Sequence, residues 1–152
     1  MKPIFTFLAF LICMPLFACN KNSVMPNTLN DISVIDSMKL KIRADENTFT
    51  ATLYNSETVA AFKKRLPLTI NMRELNANEK YFDLPDRLPA NASNPGTIQA
   101  GDLMLYGANT LVLFYKSFST SYNYTRLARI DNPSGLAAAL GSGNITVKFE
   151  LE

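Results

Sequence analysis

The sequence predicts a mainly β domain whose strands close into a barrel. Three segments, 38–43, 68–75 and 145–151, alternate apolar and polar residues as half-buried strands do. A single segment, 55–67, has the pattern of a well-formed helix. Because strands lie at both ends of the domain, a closed barrel would leave no sheet edge open. A two-sheet sandwich is the main alternative.

The first half of the domain contains a hairpin, a helix and a third strand. Segments 38–45 and 47–54 are separated by a short turn and predict the hairpin. In the helix, Asn55 or Ser56 can form the N-cap and Pro67 ends the segment. The apolar stripe of this helix, expected to face the core, consists of Val59, Phe62 and Leu66.

The second half predicts further short strands joined by two loops. A possible strand over 80–84 is followed by a proline-containing loop, which reaches Gly96. Two strands, 97–107 and 110–116, surround a turn at 107–109, and the second is apolar on both faces and therefore central. The remaining segments are a polar, aromatic loop over 117–124, a strand over 125–131, a short helix or 3₁₀ turn over 132–141 and a final strand over 144–152. In total we expect about eight short strands with one good and one short helix.

The first 18 residues predict an export signal. Lys2 precedes an uncharged, largely apolar run from residue 3 to residue 18, which Pro15 interrupts near its end. The run ends in Leu16-Phe17-Ala18-Cys19, which resembles the bacterial lipoprotein signal. The resemblance implies cleavage before Cys19 and acylation of its thiol. An ordinary secretory signal that leaves Cys19 as a free thiol is the alternative.

These features divide the chain into three parts and predict where it is located. Residues 1–18 form the lipoprotein signal peptide, residues 19–37 form the lipidated cysteine with a flexible polar tether, and residues 38–152 form the domain. We therefore expect an exported protein that is lipid-anchored to the bacterial cell envelope. Asn20 after the anchor, by resemblance to sorted lipoproteins, favours the outer membrane facing the periplasm where an outer membrane exists.

Composition excludes several classes of function. The chain has no histidine, and its two cysteines, Cys13 and Cys19, both precede the domain. Cys/His zinc sites, a Ser-His-Asp triad and thiol catalysis are therefore excluded, and we expect no metal or cofactor. Without Lys2, 14 of the 15 basic residues remain against 13 acidic residues, a net charge of +1 with no basic stripe for nucleic acid. Asp83 and Asp86 form a close acidic pair, but carboxylates beside a proline are typical of solvated turns.

Short sequence elements in a fixed order resemble the bacterial cyclophilin-like domain family. Together they span nearly all of residues 38–152. The resemblance implies a cyclophilin-type β-barrel with helices capping its ends, in agreement with the strand count. The matching elements are Leu66-Pro67-Leu68, Glu79-Lys80, Leu84-Pro85, Gly101-Asp102 and Leu127-Ala128-Arg129-Ile130-Asp131, in which Ala128 replaces the usual glycine.

The resemblance also implies residues for a peptidyl-prolyl isomerase. "QAGD" at 99–102 resembles the "QGGD" of cyclophilins and places Gln99 in the role of their glutamine. The "FHR" segment that supplies the cyclophilin arginine has no counterpart here. Arg87, displaced along the loop, or Arg129 would have to replace that arginine.

Three functions remain open, and the first is a non-enzymatic binding module for a peptide or small ligand. Its candidate contacts are aromatic residues, with Tyr122 and Tyr124 as the best candidates because they lie in a loop. The second function is the isomerase, and the third is a structural envelope lipoprotein. The candidate lining of the ligand groove is Tyr106, Phe114, Tyr115, Phe118, Tyr122, Tyr124 and Arg129.

Overall fold

The computed structural model describes residues 38–152, which contain ten strands and two helices. The predicted signal peptide, Cys19 and the tether to residue 37 lie outside the described residues. No helix in 38–152 is long and apolar enough to cross a membrane. The helices are α1 (Glu57–Lys63) and α2 (Leu136–Leu140). The strands are β1 (Lys39–Ala44), β2 (Asn47–Leu53), β3 (Leu68–Leu75), β4 (Glu79–Asp83), β5 (Thr97–Ile98), β6 (Asp102–Tyr106), β7 (Thr110–Phe114), β8 (Phe118–Ser119), β9 (Tyr124–Ile130) and β10 (Ile145–Leu151).

Eight of these strands form a closed antiparallel barrel in the order β1-β10-β3-β4-β7-β6-β9-β2. The first strand pairs with its hairpin partner β2 on one side and with the last strand β10 on the other, with Leu40 opposite Leu151. The two ends of the domain therefore meet inside the sheet. The predicted closed barrel is confirmed, and the sandwich alternative is wrong.

The segment predicted as one strand over 97–107 is divided in two. Gly101 has φ +93°, and a Cβ at this position would lie 3.0 Å from the Cβ of Ile130, so the tight turn requires glycine. The turn separates β5 from β6 and is held by Asp102, whose carboxylate accepts the backbone N–H of Gln99 at 2.8 Å. β5 pairs instead with β8, which lies within the segment predicted as a loop. This two-stranded ribbon is separate from the barrel sheet.

Helix α1 is shorter than predicted. Ser56 is its N-cap and accepts the N–H of Val59 at 3.2 Å, and the helix ends at Lys63. The N–H groups of Arg65 and Leu66 bond three residues back, so a tighter turn follows the helix before Pro67. Phe62 is fully buried, as the apolar stripe predicted, and its ring packs edge-on against Phe149 at 6.4 Å.

The two faces of the barrel wall bury different sets of residues. On β7, Leu111 and Leu113 join the core inside the barrel, whereas Val112 and Phe114 face outward. The outward side chains form a second apolar cluster, here called the outer cluster. It consists of Ile98, Met104, Val112, Phe114 and Tyr124, with Tyr81 and Phe118 packed against it.

A charged residue lies inside the barrel core. The Lys80 side chain has no solvent exposure, and its ammonium group contacts the carboxylate of Glu74. It also donates to the carbonyl oxygens of Gly141 at 2.9 Å and Gly143 at 2.6 Å, while the Tyr115 hydroxyl donates to Glu74 at 2.8 Å. Burial acts to raise the pKa of Glu74, but the hydrogen bonds from Lys80 and Tyr115 hold that pKa below its usual value. The Lys80 charge is thus fully partnered, as a buried charge requires.

Candidate functional site

A groove of about 590 Å³ lies on the outer face of the barrel, over β4, β7, β6 and β9. Its volume lies within the range of about 300–1,000 Å³ that is typical of small-molecule sites. Three groups of residues line it: outward-facing strand residues, the β3–β4 turn and the 118–122 loop. They are Glu79, Tyr81, Asp83, Tyr106, Thr110, Val112 and Tyr124 from the strands, Leu75, Asn76 and Asn78 from β3 and the turn, and Phe118, Ser119, Thr120, Ser121 and Tyr122 from the loop.

Five aromatic rings follow one another along this face, here called the aromatic row. In order of contact they are Tyr122, Tyr106, Tyr124, Phe114 and Phe118, with consecutive ring centroids 5.5 to 6.1 Å apart. Within the row Phe114 is fully buried, whereas Tyr106 is 45% and Tyr122 is 61% exposed. The row therefore continues the outer cluster to the protein surface.

Hydrogen bonds to the proline-containing loop hold the aromatic loop in place. Ser93 exchanges two backbone hydrogen bonds of 3.0 Å with Tyr124, and the N–H of Thr120 donates to the Gly96 carbonyl at 2.9 Å. The proline-containing loop is itself attached near its start, because the Arg65 guanidinium donates to the carbonyl oxygens of Asp86 and Arg87. The backbone on both sides of Tyr122 is therefore held by hydrogen bonds, and Tyr106 lies on strand β6.

The groove has acidic side chains in two different states. Asp83 is paired, since it accepts from Arg73 and from the Thr110 hydroxyl, both at 2.7 Å. Glu79 is only 8% exposed, and no donor or cation among residues 38–152 bonds to its carboxylate. Burial, together with the negative charge of Glu74, raises the pKa of Glu79 to about 7. Beside it, the side-chain carbonyl oxygen of Asn78 is also buried without a described partner.

The family model described as the cyclophilin-like family matches residues 42–150, which include the whole groove. The chain belongs to the cyclophilin-like family. Its family assignment agrees with the resemblance seen in the sequence. No curated protein matches the chain.

A solved structure shares the fold of this cyclophilin-like chain. It is the solution structure of a hypothetical protein from Archaeoglobus fulgidus, 21% identical, with a TM-score of 0.53. The match covers 76% of this chain and 95% of that protein. At this identity the likeness shows the fold alone.

The predicted ligand-contacting residues of the cyclophilin-like domain do not all lie in the groove. Tyr106, Phe118, Tyr122 and Tyr124 line the groove together. Tyr115 does not, because its hydroxyl is bonded to Glu74 beside Lys80. Phe114 is the fully buried member of the aromatic row and belongs to the outer cluster, but it does not line the groove.

Arg129 lies outside the groove. Its Nε is 3.2 Å from a carboxylate oxygen of Asp102, which is 1% exposed, and this is an ion pair without hydrogen-bond alignment. The arginine lines a smaller depression of about 400 Å³ together with Tyr54 and Asp131.

The residues considered for isomerase activity also lie outside the groove lining. Gln99 is exposed, and its side-chain oxygen accepts from the Ser117 hydroxyl at 3.3 Å. Arg87 is exposed on the proline-containing loop, where its backbone carbonyl accepts from Arg65. Gln99 and Arg129 meet only indirectly, since both contact Asp102.

The sequence does not identify Glu79 and Asn78 as groove residues. Of the acids that line the groove, the pattern singles out only Asp83, which it assigns to a solvated turn and which the structure places at the end of β4, paired with Arg73. The adjacent Glu79-Lys80 pair carried a usable indication, because successive strand residues face opposite sides and one charge of such a pair must turn inward. No property of the sequence shows which of the two does so. Within residues 38–152 no three acidic side chains come together in a way that could hold a metal ion.

Proposed function

We propose that this chain is an envelope-anchored, cyclophilin-like binding module whose outer groove holds a peptide or small ligand. The aromatic row carries this proposal. Its two exposed members, Tyr106 and Tyr122, form the edge of a groove of about 590 Å³ instead of packing into a core. Tyrosine combines a large apolar surface with a polar tip, which makes it a frequent contact residue at binding sites.

The outer groove is a better candidate than the barrel interior. The interior is filled by apolar side chains and, at one end, by the partnered Lys80. The smaller depression around Tyr54 offers one aromatic residue and an arginine already paired with Asp102. The groove, in contrast, combines several rings with polar atoms that lack described partners.

Binding without covalent catalysis fits the groove chemistry best. Its lining contains no cysteine, lysine or arginine, and its hydroxyl groups have no neighbouring histidine to act as a base. The aromatic rings and the backbone atoms of the loops offer contact area and hydrogen bonds, which is what a binding site needs.

The binding proposal is tested by mapping ligands on the protein by NMR. A library of small aromatic molecules and capped dipeptides is added to the ¹⁵N-labelled protein, and amide shifts are recorded. We expect shifts to concentrate at β4, β7 and the 118–122 loop. Tyr122→Ala should weaken these hits about tenfold, as expected for an aromatic anchor.

Leu151→Ala is the matched control, because it removes an exposed apolar side chain outside the groove lining. It should leave binding unchanged. Shifts centred on Tyr54, or groove shifts insensitive to Tyr122→Ala, would contradict the proposal. A complete absence of hits would favour the structural lipoprotein instead.

The anchoring part of the proposal is supported by Leu16-Phe17-Ala18-Cys19. One acyl chain anchors a protein only marginally, whereas several give stable attachment. In bacterial cells, labelled palmitate should be incorporated into the wild-type chain and not into Cys19→Ser. Equal labelling of both, or release of a soluble wild-type protein, would refute the anchor.

A further inference from the structure

One end of the groove presents hydrogen-bond acceptors without matching donors. Glu79 is only 8% exposed, and its carboxylate has no hydrogen bond or ion pair among the described residues. Buried polar groups in native proteins are nearly always hydrogen-bonded, so a mostly buried carboxylate without a described donor requires an explanation. A ligand that brings donors would supply the missing partners.

The charge of the groove is also one-sided. Its lining includes two carboxylates and neither lysine nor arginine. Asp83 is already neutralised by Arg73, which stacks over the Tyr81 ring at 4.5 Å, so the unbalanced acid is Glu79. The nearest lysine in sequence, Lys80, points into the barrel and is committed to Glu74.

From these observations we infer that the groove takes a small organic amine, with its ammonium group at Glu79 and its apolar body against the aromatic row. An ammonium group offers three donors and a positive charge, which matches the two acceptor oxygens of an ionised carboxylate. Electron-rich tyrosine faces add attraction for the same cation. The volume of about 590 Å³ suits a small molecule. The inference rests on the proposed function and adds the chemical class of the ligand.

The surroundings of Glu79 disfavour its negative charge. The groups facing it are Glu74 on β3, Tyr115 beyond β7 and Tyr124 on β9. Burial raises the pKa of each of these tyrosines to about 12, so both are neutral, and Glu74 repels a second negative charge. A bound cation would offset this repulsion. Amine binding should therefore weaken as the pH falls below about 7, where Glu79 takes up a proton.

The test uses three probes with one aromatic body and different charge: 2-phenylethylamine, 2-phenylethanol and phenylacetate. Binding to the full chain in detergent is measured by calorimetry at about pH 8, with empty micelles as the blank. We expect the amine to bind about tenfold more tightly than the alcohol, and phenylacetate to bind least. Glu79→Gln should abolish the preference for the amine.

Glu46→Gln is the charge-matched control, because Glu46 is exposed in the β1–β2 turn and does not line the groove. It should retain the preference. Equal binding of amine and alcohol, lost in Tyr122→Ala, would overturn the charge inference and leave the binding module standing. If none of the three probes shows saturable binding, the amine inference is overturned. Binding of other library molecules in the groove would still support the proposed binding module. Tenfold tighter binding of N-acetyl-lysine methylamide than of the amine would assign the site to a peptide lysine and overturn the small-molecule assignment.

Discussion

Glu79 and Lys80 are neighbours on β4, yet they lie in opposite environments. Lys80 turns into the barrel and is fully buried among the Glu74 carboxylate and two backbone carbonyl oxygens. Glu79 turns outward into the groove, nearly as buried, with no described partner. The charge in the interior, on Lys80, has hydrogen-bond partners, whereas the carboxylate in the groove, on Glu79, has none among the described residues.

The difference separates stability from binding. A buried charge with several partners is costly to disturb, because removing one member leaves the others unsatisfied. A buried acid without partners is itself destabilising when ionised, as the raised pKa of Glu79 shows. Substitution of Lys80 in the interior should therefore lower the free energy of unfolding of the protein, and substitution of Glu79 in the groove should raise it.

The largest expected effect comes from the interior. Lys80→Met keeps the length of the side chain but removes the ammonium group from Glu74 and from the carbonyl oxygens of Gly141 and Gly143. Because the Glu74 side chain is 21% exposed and water can partly replace the lysine, we expect a loss of about 2–3 kcal/mol. Denaturant unfolding at about pH 7 measures it.

Lys116→Met is the matched control, since Lys116 is exposed beside the Tyr115 ring and has no ion pair within residues 38–152. It should change the free energy of unfolding by less than about 0.5 kcal/mol. Similar losses in both variants would show that the buried cluster adds nothing specific to stability.

A smaller effect of opposite sign is expected in the groove. The folded-state pKa of Glu79, about 7, lies above the ordinary pKa of a glutamate, 4.5, so the folded state binds more protons between these limits. Stability due to this group should therefore fall as the pH rises from about 4.5 to about 7. Glu79→Gln should remove that fall and raise the free energy of unfolding at about pH 8 by roughly 1 kcal/mol, a value reduced for the water in the groove.

The pH window distinguishes Glu79 from Glu74. Because the pKa of Glu74 is lowered, its contribution to stability disappears only in acid, below the ordinary glutamate pKa of 4.5. Stability curves of wild type and Glu79→Gln should thus converge near pH 5 and separate toward pH 8. A stability gain that is equal at both pH values would contradict the assigned pKa.

The barrel was predictable because its strands alternate. Met72 and Ile70, or Val147 and Phe149, lie two residues apart and share the buried face, so the pattern alone locates the core side. The division of segment 97–107 was not predictable, because it depends on contact between Gly101 and the distant Ile130. Local sequence contains no information about that approach.

The aromatic part of the groove was predictable and its polar part was not. Tyr122 lies in the predicted loop and lines the groove. Tyr124 also lines the groove, but its predicted place in the loop is wrong, because it is the first residue of β9, pairs with Tyr106 and is only 7% exposed. Tyr115 follows a strand that is apolar on both faces, so its direction could not be chosen from the pattern. Arg129 follows a register shift between Leu103 and Met104 on the neighbouring strand, an irregularity that only the fold shows.

The smallest expected effect is catalytic: the protein should show no prolyl isomerisation above the uncatalysed rate. Isomerisation passes through a twisted amide. In cyclophilins, which this domain resembles, a fixed cation beside the imide nitrogen stabilises that twisted amide. No arginine lines this groove, and Arg87, Gln99 and Arg129 lie elsewhere. The uncatalysed step takes roughly tens to hundreds of seconds at about 25 °C, so even modest catalysis would be visible with a proline peptide.

Substitution distinguishes a real activity from a contaminant. Catalysis that disappears in Arg87→Ala or Arg129→Ala would show that these residues contact a substrate outside the groove. The isomerase would then replace the binding module as the proposed function. Catalysis unchanged by both substitutions would indicate a contaminating isomerase. If no catalysis is detected while the amine probe still binds, the groove of this cyclophilin-like domain recognises ligands through its rings and Glu79 without twisting an amide. Recognition needs only complementary charge and contact area, whereas rate acceleration needs a charge placed at the reacting atoms.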